Sequence, residues 1–499
     1  MGERWRLLLI GATVLVVATS SVLVRHELLP LLSWNSDEAV HLFQADLILD
    51  GRLTADAALH DESFRPWLSG TRDGRVFLAY QPGVPLLLAL SQLLTGSTTP
   101  ILVTVAGGLV WATYGAASAL WGDRRVAAWS AALVGLSPIV LLHAGLHLGY
   151  LPAATALFAA LWAALRAAER RSAAVFVGAG AALGAAVLMR PFDALLFALA
   201  IAPLVLVRAR RADHGVGPTW WVRPIAFAAV GALPAVALTA WFNARTTGDP
   251  LEFPITALGG PNTFGFGTRA LMEGSDAVDY DIGLAVESLA WHLASVPWWM
   301  AGGLGLVLLA AWGLTRPGPV AERRTAAALV LLYPLGYVVW WATATASEWL
   351  DSFGPYYYLP SLVALALLGA RGVVALGEVL PSRRAAGLVV VVLTVATLPA
   401  MPGALRWHEQ VTDRFERIEA AVPDHLDDAI VVLDVDHVLF AHPYFANDPG
   451  LEDDVVFAVS DADVEALGER FPERTIYRLD VPAVDGTGAG LECVDGPGC

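Results

Sequence analysis

The sequence predicts a polytopic α-helical membrane protein of about 11 transmembrane helices, 13 at the upper reading, followed by a small C-terminal α/β domain. Three observations carry that prediction. Of the 499 residues 56% are hydrophobic and only 16% are charged, with a mean hydropathy of +0.57, which is too apolar for a chain that folds in water. The apolar runs are punctuated by Arg clusters at intervals that fit pairs of crossings. Beyond about residue 404 the character changes, and acidic residues take over.

Taken in order, Arg4 and Arg6 precede an apolar run from about Leu7 to Val24. It approaches spanning length and lacks a clear small-residue cleavage site, so it reads as an uncleaved first helix with a cytoplasmic N-terminus. Arg clusters follow at Arg124 and Arg125, at Arg166, Arg170 and Arg171, at Arg208, Arg210 and Arg211, at Arg316, Arg323 and Arg324, and at Arg383 and Arg384. All of them fit on the cytoplasmic side if crossings lie near 125–143, 148–166, 172–190, 191–207, 222–242, 297–315, 324–344, 355–374 and 385–402. The stretch from Pro82 to Trp121 is too long for one helix and must cross an odd number of times. Pro82, Pro85, Gly96 and Pro100 predict a short or re-entrant piece there, followed by a full span.

This topology makes residues 1–403 a membrane domain of a multi-pass cell-membrane protein. Its extracytoplasmic segments are a first outer loop over 26–81, turns at His143 to Tyr150 and Arg190 to Asp193, a second large loop over 243–296, and the turn from Ser347 to Tyr358. The tail, 404–499, falls on the same side. From about Arg406 it reads as an amphipathic helix, then strands A-I-V-V-L-D-V-D and D-V-V-F-A-V, a helix at D-A-D-V-E-A-L-G-E-R-F and a strand T-I-Y-R-L. No Gly-rich phosphate loop opens either helix, so no catalysis is assigned to it. From Gly403 onward 22 Asp and Glu face 6 Arg, so the tail holds the whole net charge of -16. Nucleic acid is not an expected partner. All 31 basic residues are Arg, which rules out Lys-based Schiff chemistry and a P-loop Lys. Two cysteines, Cys493 and Cys499, exclude a Cys-based zinc site and leave open a short disulfide loop or two free thiols.

The first outer loop holds the residues with most chemical promise. Asp37 and Glu38, in S-W-N-S-D-E-A-V-H-L-F, follow the first apolar run directly. On a helix, Asp37 and His41 share a face. A carboxylate at an apolar boundary gains basicity by desolvation while a nearby cation keeps it ionised. The plainer reading is a helix start capped by Ser36 or Asp37. In R-P-F-D, Arg190 could grip a phosphate bidentately, or close a tight turn by pairing with Asp193. His143 and His147 have the spacing of two metal ligands without an evident third, which favours packing. The acidic pair suits a divalent cation, but no complete ligand set accompanies it. Tyr356, Tyr357 and Tyr358 read as an aromatic belt or, less simply, as a sugar-stacking platform.

In this order, the acidic pair, the loop exit Y-Q-P-G-V-P-L-L-L-A-L starting at Tyr80, the pair Arg190 and Pro191, the segment N-A-R-T-T-G-D-P-L from Asn243, and F-G-P-Y-Y-Y-L-P from Phe353 resemble the GT-C membrane glycosyltransferases. The likeness spans most of residues 1–400 and is nearest the protein O-mannosyltransferase, aminoarabinose transferase and RgtA/B/C/D-like branch. It implies a GT-C-like fold and transfer of a sugar from a polyprenyl-phosphate donor to an acceptor hydroxyl of a glycan, lipid or protein, at the extracytoplasmic face. It implies Asp37 as base with Glu38 beside it as an orienting or acceptor-binding group. Arg190, His41, Tyr80 and Tyr357 complete the expected substrate-binding set. Relatives often place an Arg ahead of the paired Tyr where this chain has Tyr356, which shifts the phosphate contact toward Arg190. The rival class is a secondary transporter or flippase-like protein, whose ionisable residues and broken helices belong near the bilayer midplane. The spans from 125 to 207 hold almost no internal charge, and polar groups gather at one surface.

Overall fold

The computed structural model describes residues 3–212, 221–272, 275–380, 383–395, 397, 401–423, 425–435, 444, 447–459, 462–481 and 490–499. The first apolar run is α1 (Glu3–Leu23), extended by a π-helical turn over Val24–Leu28. The Arg25 guanidinium then folds the chain sharply by donating to the carbonyls of Leu29, Pro30 and Leu31. The first loop contributes α2 (Asp37–Leu49) and a small antiparallel sheet of β1 (Ala55–Asp56), β2 (Ser69–Arg72) and β3 (Arg75–Leu78), in the order β1-β3-β2. The stretch after Pro82 divides as its Gly and Pro residues predict, into a short α3 (Gly83–Thr95) and a full-length α4 (Thr99–Trp121). Gly96 and Gly122 adopt the left-handed conformation that ends each helix.

The expected crossing at 125–143 is broken into α5 (Arg124–Gly135) and α6 (Pro138–His143), because Pro138 cannot donate into the preceding turn. There follow α7 (Tyr150–Arg170), α8 (Ala173–Met189), α9 (Pro191–Ala212) and α10 (Val222–Thr246). Helices α8 and α10 touch backbone to backbone: a Cβ on Gly180 would lie 1.9 Å from the Ala228 carbonyl oxygen, and one on Gly231 1.9 Å from that of Val177. Such small-residue seams bring helices close where apolar burial offers no drive.

Residues 243–296, expected as one loop, hold a short hairpin of β4 (Gly267–Arg269) and β5 (Val278–Tyr280). Past Asp281 they enter α11 (Ile282–Trp299). With α12 (Gly303–Thr315) this forms a pair bent by 102°. A second pair, α13 (Val320–Tyr337) with the short α14 (Ala342–Ala346) and α15 (Leu350–Phe353), bends by 106°. Then come α16 (Leu359–Val379) and α17 (Arg383–Val395). The rest of the run expected up to 402 lies largely outside the described residues. Among those described, six helices are long and apolar enough to cross a membrane, eight if each bent pair is one crossing, and α3 and α8 are shorter apolar helices. The most apolar window of α16 is 83% buried and that of α10 17%, which sets α16 at the centre of the bundle and α10 at its rim.

The C-terminal part begins with α18 (Met401–Ala421). Its sheet contains β6 (Ala429–Val435), β7 (Val455–Ala458), β8 (Thr475–Val481) and β9 (Gly490–Asp495), with α19 (Val464–Arg470) packed against it. The order is β7-β6-β8-β9; the first three are parallel and β9, which sequence reasoning missed, runs antiparallel. Cys493 and Cys499 are joined by a disulfide.

The sheet domain does not hang free. Phe64 of the first loop is fully buried in its core beside Ile430, Val456 and Leu467. Arg470 pairs with Asp61 at 2.6 Å, the Val459 amide donates to Ser63, and His60 meets the Pro449 carbonyl.

Candidate active site

Four of the five polar segments expected on the outer side meet at one end of the bundle, and the Asn243 segment braces them from behind. The Gln81 amide donates to Asn243 Oδ1 at 3.0 Å and Gln44 donates to the Tyr80 carbonyl at 2.9 Å, so the loop exit is tied to α2 and α10 together.

Asp37 and Glu38 are adjacent, but their environments differ. Glu38 is 1% exposed. Its Oε2 accepts from the Ser33 amide at 2.9 Å and from the Ser33 hydroxyl; its Oε1 accepts from the His147 amide at 2.8 Å, with the His147 ring 3.3 Å away. Burial pushes this carboxyl up, and the donors from His147 and Ser33 outweigh burial and hold it below the ordinary carboxylate range. Both oxygens are thus spent on fixing the start of α2 to the turn between α6 and α7. Asp37 is only partly buried, and its carboxylate meets the Tyr80 hydroxyl rather than backbone donors. Burial is the main cause that pushes its carboxyl up to about 6; the Tyr80 hydroxyl and the Arg190 charge pull it back, and Glu38 adds to the rise. The expected cap is not formed by Ser36 or Asp37: Asn35 Oδ1 accepts the Asp37 amide instead, at 3.1 Å.

His41 lies one turn further on, as its spacing predicts. It is 5% exposed, its ring centre is 4.7 Å from that of Tyr80, and among the described residues its Nδ1 has no hydrogen-bond partner. Burial pushes the imidazole down to about 3, so it is neutral.

Arg190 occupies the break between α8 and α9. Its Nε donates to Asp193 Oδ2 at 2.6 Å and its Nη2 to the Tyr337 hydroxyl at 2.9 Å, while Tyr337 donates to Asp193 Oδ1. The turn-closing pair and a ligand-facing role therefore coexist, with Nη1 as the remaining nitrogen. The guanidinium stacks 4.0 Å from the Tyr150 ring centre and 5.6 Å from that of Tyr357. Tyr150 and Tyr337 were not singled out from sequence. Tyr333 and Tyr337, four apart, are its one available signal: both point at Asp193, whose carbonyl accepts from the Tyr333 hydroxyl.

The tyrosine triplet is not a lipid-facing belt. Tyr356 and Tyr358 are 4% and 2% exposed, and Tyr357 packs against Tyr150 and Tyr337 within the site. His143 and His147 are structural, one bonded to the Phe353 carbonyl and the other to the Thr98 hydroxyl. Of the acidic pair, Glu38 accepts from protein donors on both oxygens, which leaves Asp37 as the carboxylate with more room for a cation. Among the described residues no group of three His, Cys, Asp or Glu could hold a metal.

Comparison with known proteins bears on the fold. No curated protein matches the sequence. A domain of unknown function, DUF7846, matches residues 429–489, within the C-terminal sheet. Among solved structures, ArnT from Cupriavidus metallidurans bound to undecaprenyl phosphate is 14% identical, with a TM-score of 0.56 over 96% of this chain and 94% of that one. The apo form of the same protein gives 14%, 0.55, 95% and 92%. The oligosaccharyltransferase of Archaeoglobus fulgidus, in its apo form, is 11% identical with a TM-score of 0.49 over 96% of this chain and 70% of that one. Arranged along almost its whole length like ArnT, the chain has the fold of the GT-C membrane glycosyltransferases.

Proposed function

We propose that this protein is a membrane glycosyltransferase that moves a sugar from a polyprenyl-phosphate donor to an acceptor hydroxyl, with the Asp37 end of the bundle extracytoplasmic. The observation that carries the reading is the position of Asp37: a carboxylate kept basic by partial burial, bonded to the Tyr80 hydroxyl rather than locked by backbone donors, and set near an aromatic-walled guanidinium in a GT-C fold. In the reaction the Asp37 carboxylate takes the acceptor hydroxyl proton. The acceptor oxygen bonds to the anomeric carbon, and the bond from that carbon to the phosphate oxygen breaks. The electron pair leaves with the lipid phosphate, whose added charge Arg190 stabilises through Nη1. Phosphate is a good leaving group, so no general acid is needed. His41 and Tyr80 shape the acceptor side of Asp37, and Tyr357 walls the donor side.

Glu38 enters as a positioning residue, since its oxygens face Ser33 and His147 rather than a ligand. The transporter alternative is disfavoured by where the charges lie: the buried ion pairs Arg190 with Asp193 and Arg208 with Glu322 sit at the two ends of α9, not midway. Purified protein in lipid vesicles, given radiolabelled polyprenyl-phosphate sugars and a membrane extract as acceptor source, is expected to release lipid phosphate in proportion to sugar transferred. Uptake of a solute with no such release would sink the reading.

A further inference from the structure

A cavity of about 510 Å³ lies at the seam between the first loop, the segment around Leu258 and the C-terminal sheet domain. Trp67, Ser69, Thr71 and Arg65 line it on the first-loop side, Leu258 lines the second wall, and Val459 of the sheet domain closes it. We propose that this cavity holds the saccharide portion of the acceptor, as an uncharged di- or trisaccharide unit; the inference rests on the glycosyltransferase reading and extends it to acceptor class.

Three features lead there. The volume falls within the range of small-ligand pockets, roughly 300–1,000 Å³. The lining combines Trp67 with two hydroxyls and a guanidinium that are already ordered within the wall: the Ser69 hydroxyl donates to the Pro66 carbonyl and Arg65 Nη2 to the Thr71 hydroxyl, which leaves the Thr71 hydroxyl proton and the other Arg65 nitrogens to meet a polyhydroxylated ring.

The third feature is the edge of β2. The hairpin turns through Asp73 and Gly74, both at positive φ, and pairs Arg72 with Arg75, Thr71 with Val76, Gly70 with Phe77 and Ser69 with Leu78. A two-residue turn makes the first of these a hydrogen-bonded pair. The alternation then turns the backbone N–H and C=O groups of Thr71 and Ser69 away from β3. These groups supply fixed donors and acceptors on the cavity side.

The cavity wall and the proposed base are joined through the chain: Ser69 sits opposite Leu78, and Tyr80, two residues further along, lies beside Asp37. The sheet domain reaches the wall through Val459 alone, and its net negative charge acts at longer range to disfavour anionic chains, which favours an uncharged acceptor. An extended peptide along the edge of β2 is the competing occupant, but only Ser69 and Thr71 would pair with it.

The test is saturation-transfer NMR on the full-length protein in detergent, with a panel of neutral di- and trisaccharides and, separately, uncharged pentapeptides. At least one saccharide is expected to bind saturably, and Val459→Trp should abolish its signal. Because a Trp at the seam can also disturb domain docking, the double variant Arg65→Gln, Thr71→Val provides a second arm: it should weaken binding at least tenfold with an unchanged melting temperature. Binding of peptides and not saccharides, no binding by any saccharide, or wild-type binding in both variants overturns the assignment. Asp37→Asn should bind the saccharide as wild type does. Sugar transfer surviving in that variant would remove the catalytic reading while leaving the cavity result standing.

Discussion

Two buried Arg and carboxylate pairs stand near the two ends of α9 and differ in what they leave unsatisfied. Near the Arg-rich end, Arg208 gives Nε and Nη2 to Glu322, Nη1 to Glu169 and Nη2 again to the Leu120 carbonyl, which ties α4, α7, α9 and α13 together. No edge of it remains for a ligand. At the other end, 18 residues and about 27 Å along the helix, Arg190 spends only Nε and Nη2 on protein partners and lies between tyrosine rings near a carboxylate held by one tyrosine hydroxyl. Saturation makes a staple; partial satisfaction beside a second, less encumbered carboxylate makes a candidate site.

The strongest way to break that contrast is to neutralise one carboxylate at each end. Asp37→Asn should lower transfer by about 10²–10⁴-fold, the worth of a general base, with the protein still folded. Glu322→Gln, measured per folded molecule, should change transfer little. Equal losses of turnover in the two variants would erase the distinction.

Stability should show the reverse ranking. Arg208→Gln leaves Glu322, 3% exposed, without its main partner, and removing one member of a buried pair costs about 3–5 kcal/mol. A melting temperature unmoved in detergent would show that the staple is decorative. Phe64→Ala provides a reference of similar size, about 3–5 kcal/mol for a large aromatic deleted from a core. It should also loosen the sheet domain, read as faster proteolysis after Ala421.

A smaller effect is expected from Arg190→Lys. The ammonium keeps the charge but cannot hold Asp193, Tyr337 and a phosphate at once. KM for the lipid donor should rise about tenfold, equivalent to about 1.4 kcal/mol, with KM for the acceptor unchanged. A shift in acceptor KM instead would move Arg190 to the other substrate.

The same contrast explains what could be read from the sequence. Arg clusters and apolar runs located most of the bundle, since both follow from the cost of burying charge in lipid. Asp37 was legible from its place just after the first apolar run, and Arg190 from its place at a break between two. The role of Glu38 was not, because its partner His147 is 109 residues away and nothing local marks a carboxylate as saturated. Tyr150 and Tyr337 sit at the ends of apolar helices, where a tyrosine looks like an interfacial anchor; only the folded chain turns both toward Arg190. In sequence α11 looks like loop up to Val296 because Glu287, His292 and the closing Pro297 interrupt its apolar pattern, yet Ser288 and His292 point inward and are 1% exposed.

The subtlest effect concerns pH, where the adjacent carboxylates should part in sign. As the proposed base, Asp37 works only when ionised, so kcat/KM should hold above its value of about 6, halve there, and fall about tenfold per unit below. Because its folded value is raised above 3.8, the stabilising contribution of its protonated form is complete below about pH 4 and is lost as pH rises through about 6. At pH 8, then, Asp37→Asn should be more stable than the parent, by on the order of 1–3 kcal/mol after allowance for its partial solvent access. Glu38 is lowered, so its contribution is present above its ordinary range and is lost only as pH falls through its depressed folded value; Glu38→Gln should be less stable than the parent at pH 8. Melting curves of the two variants at pH 8 test both signs together. If both lose stability, Asp37 is as tied down as its neighbour and cannot be the free base that transfer requires.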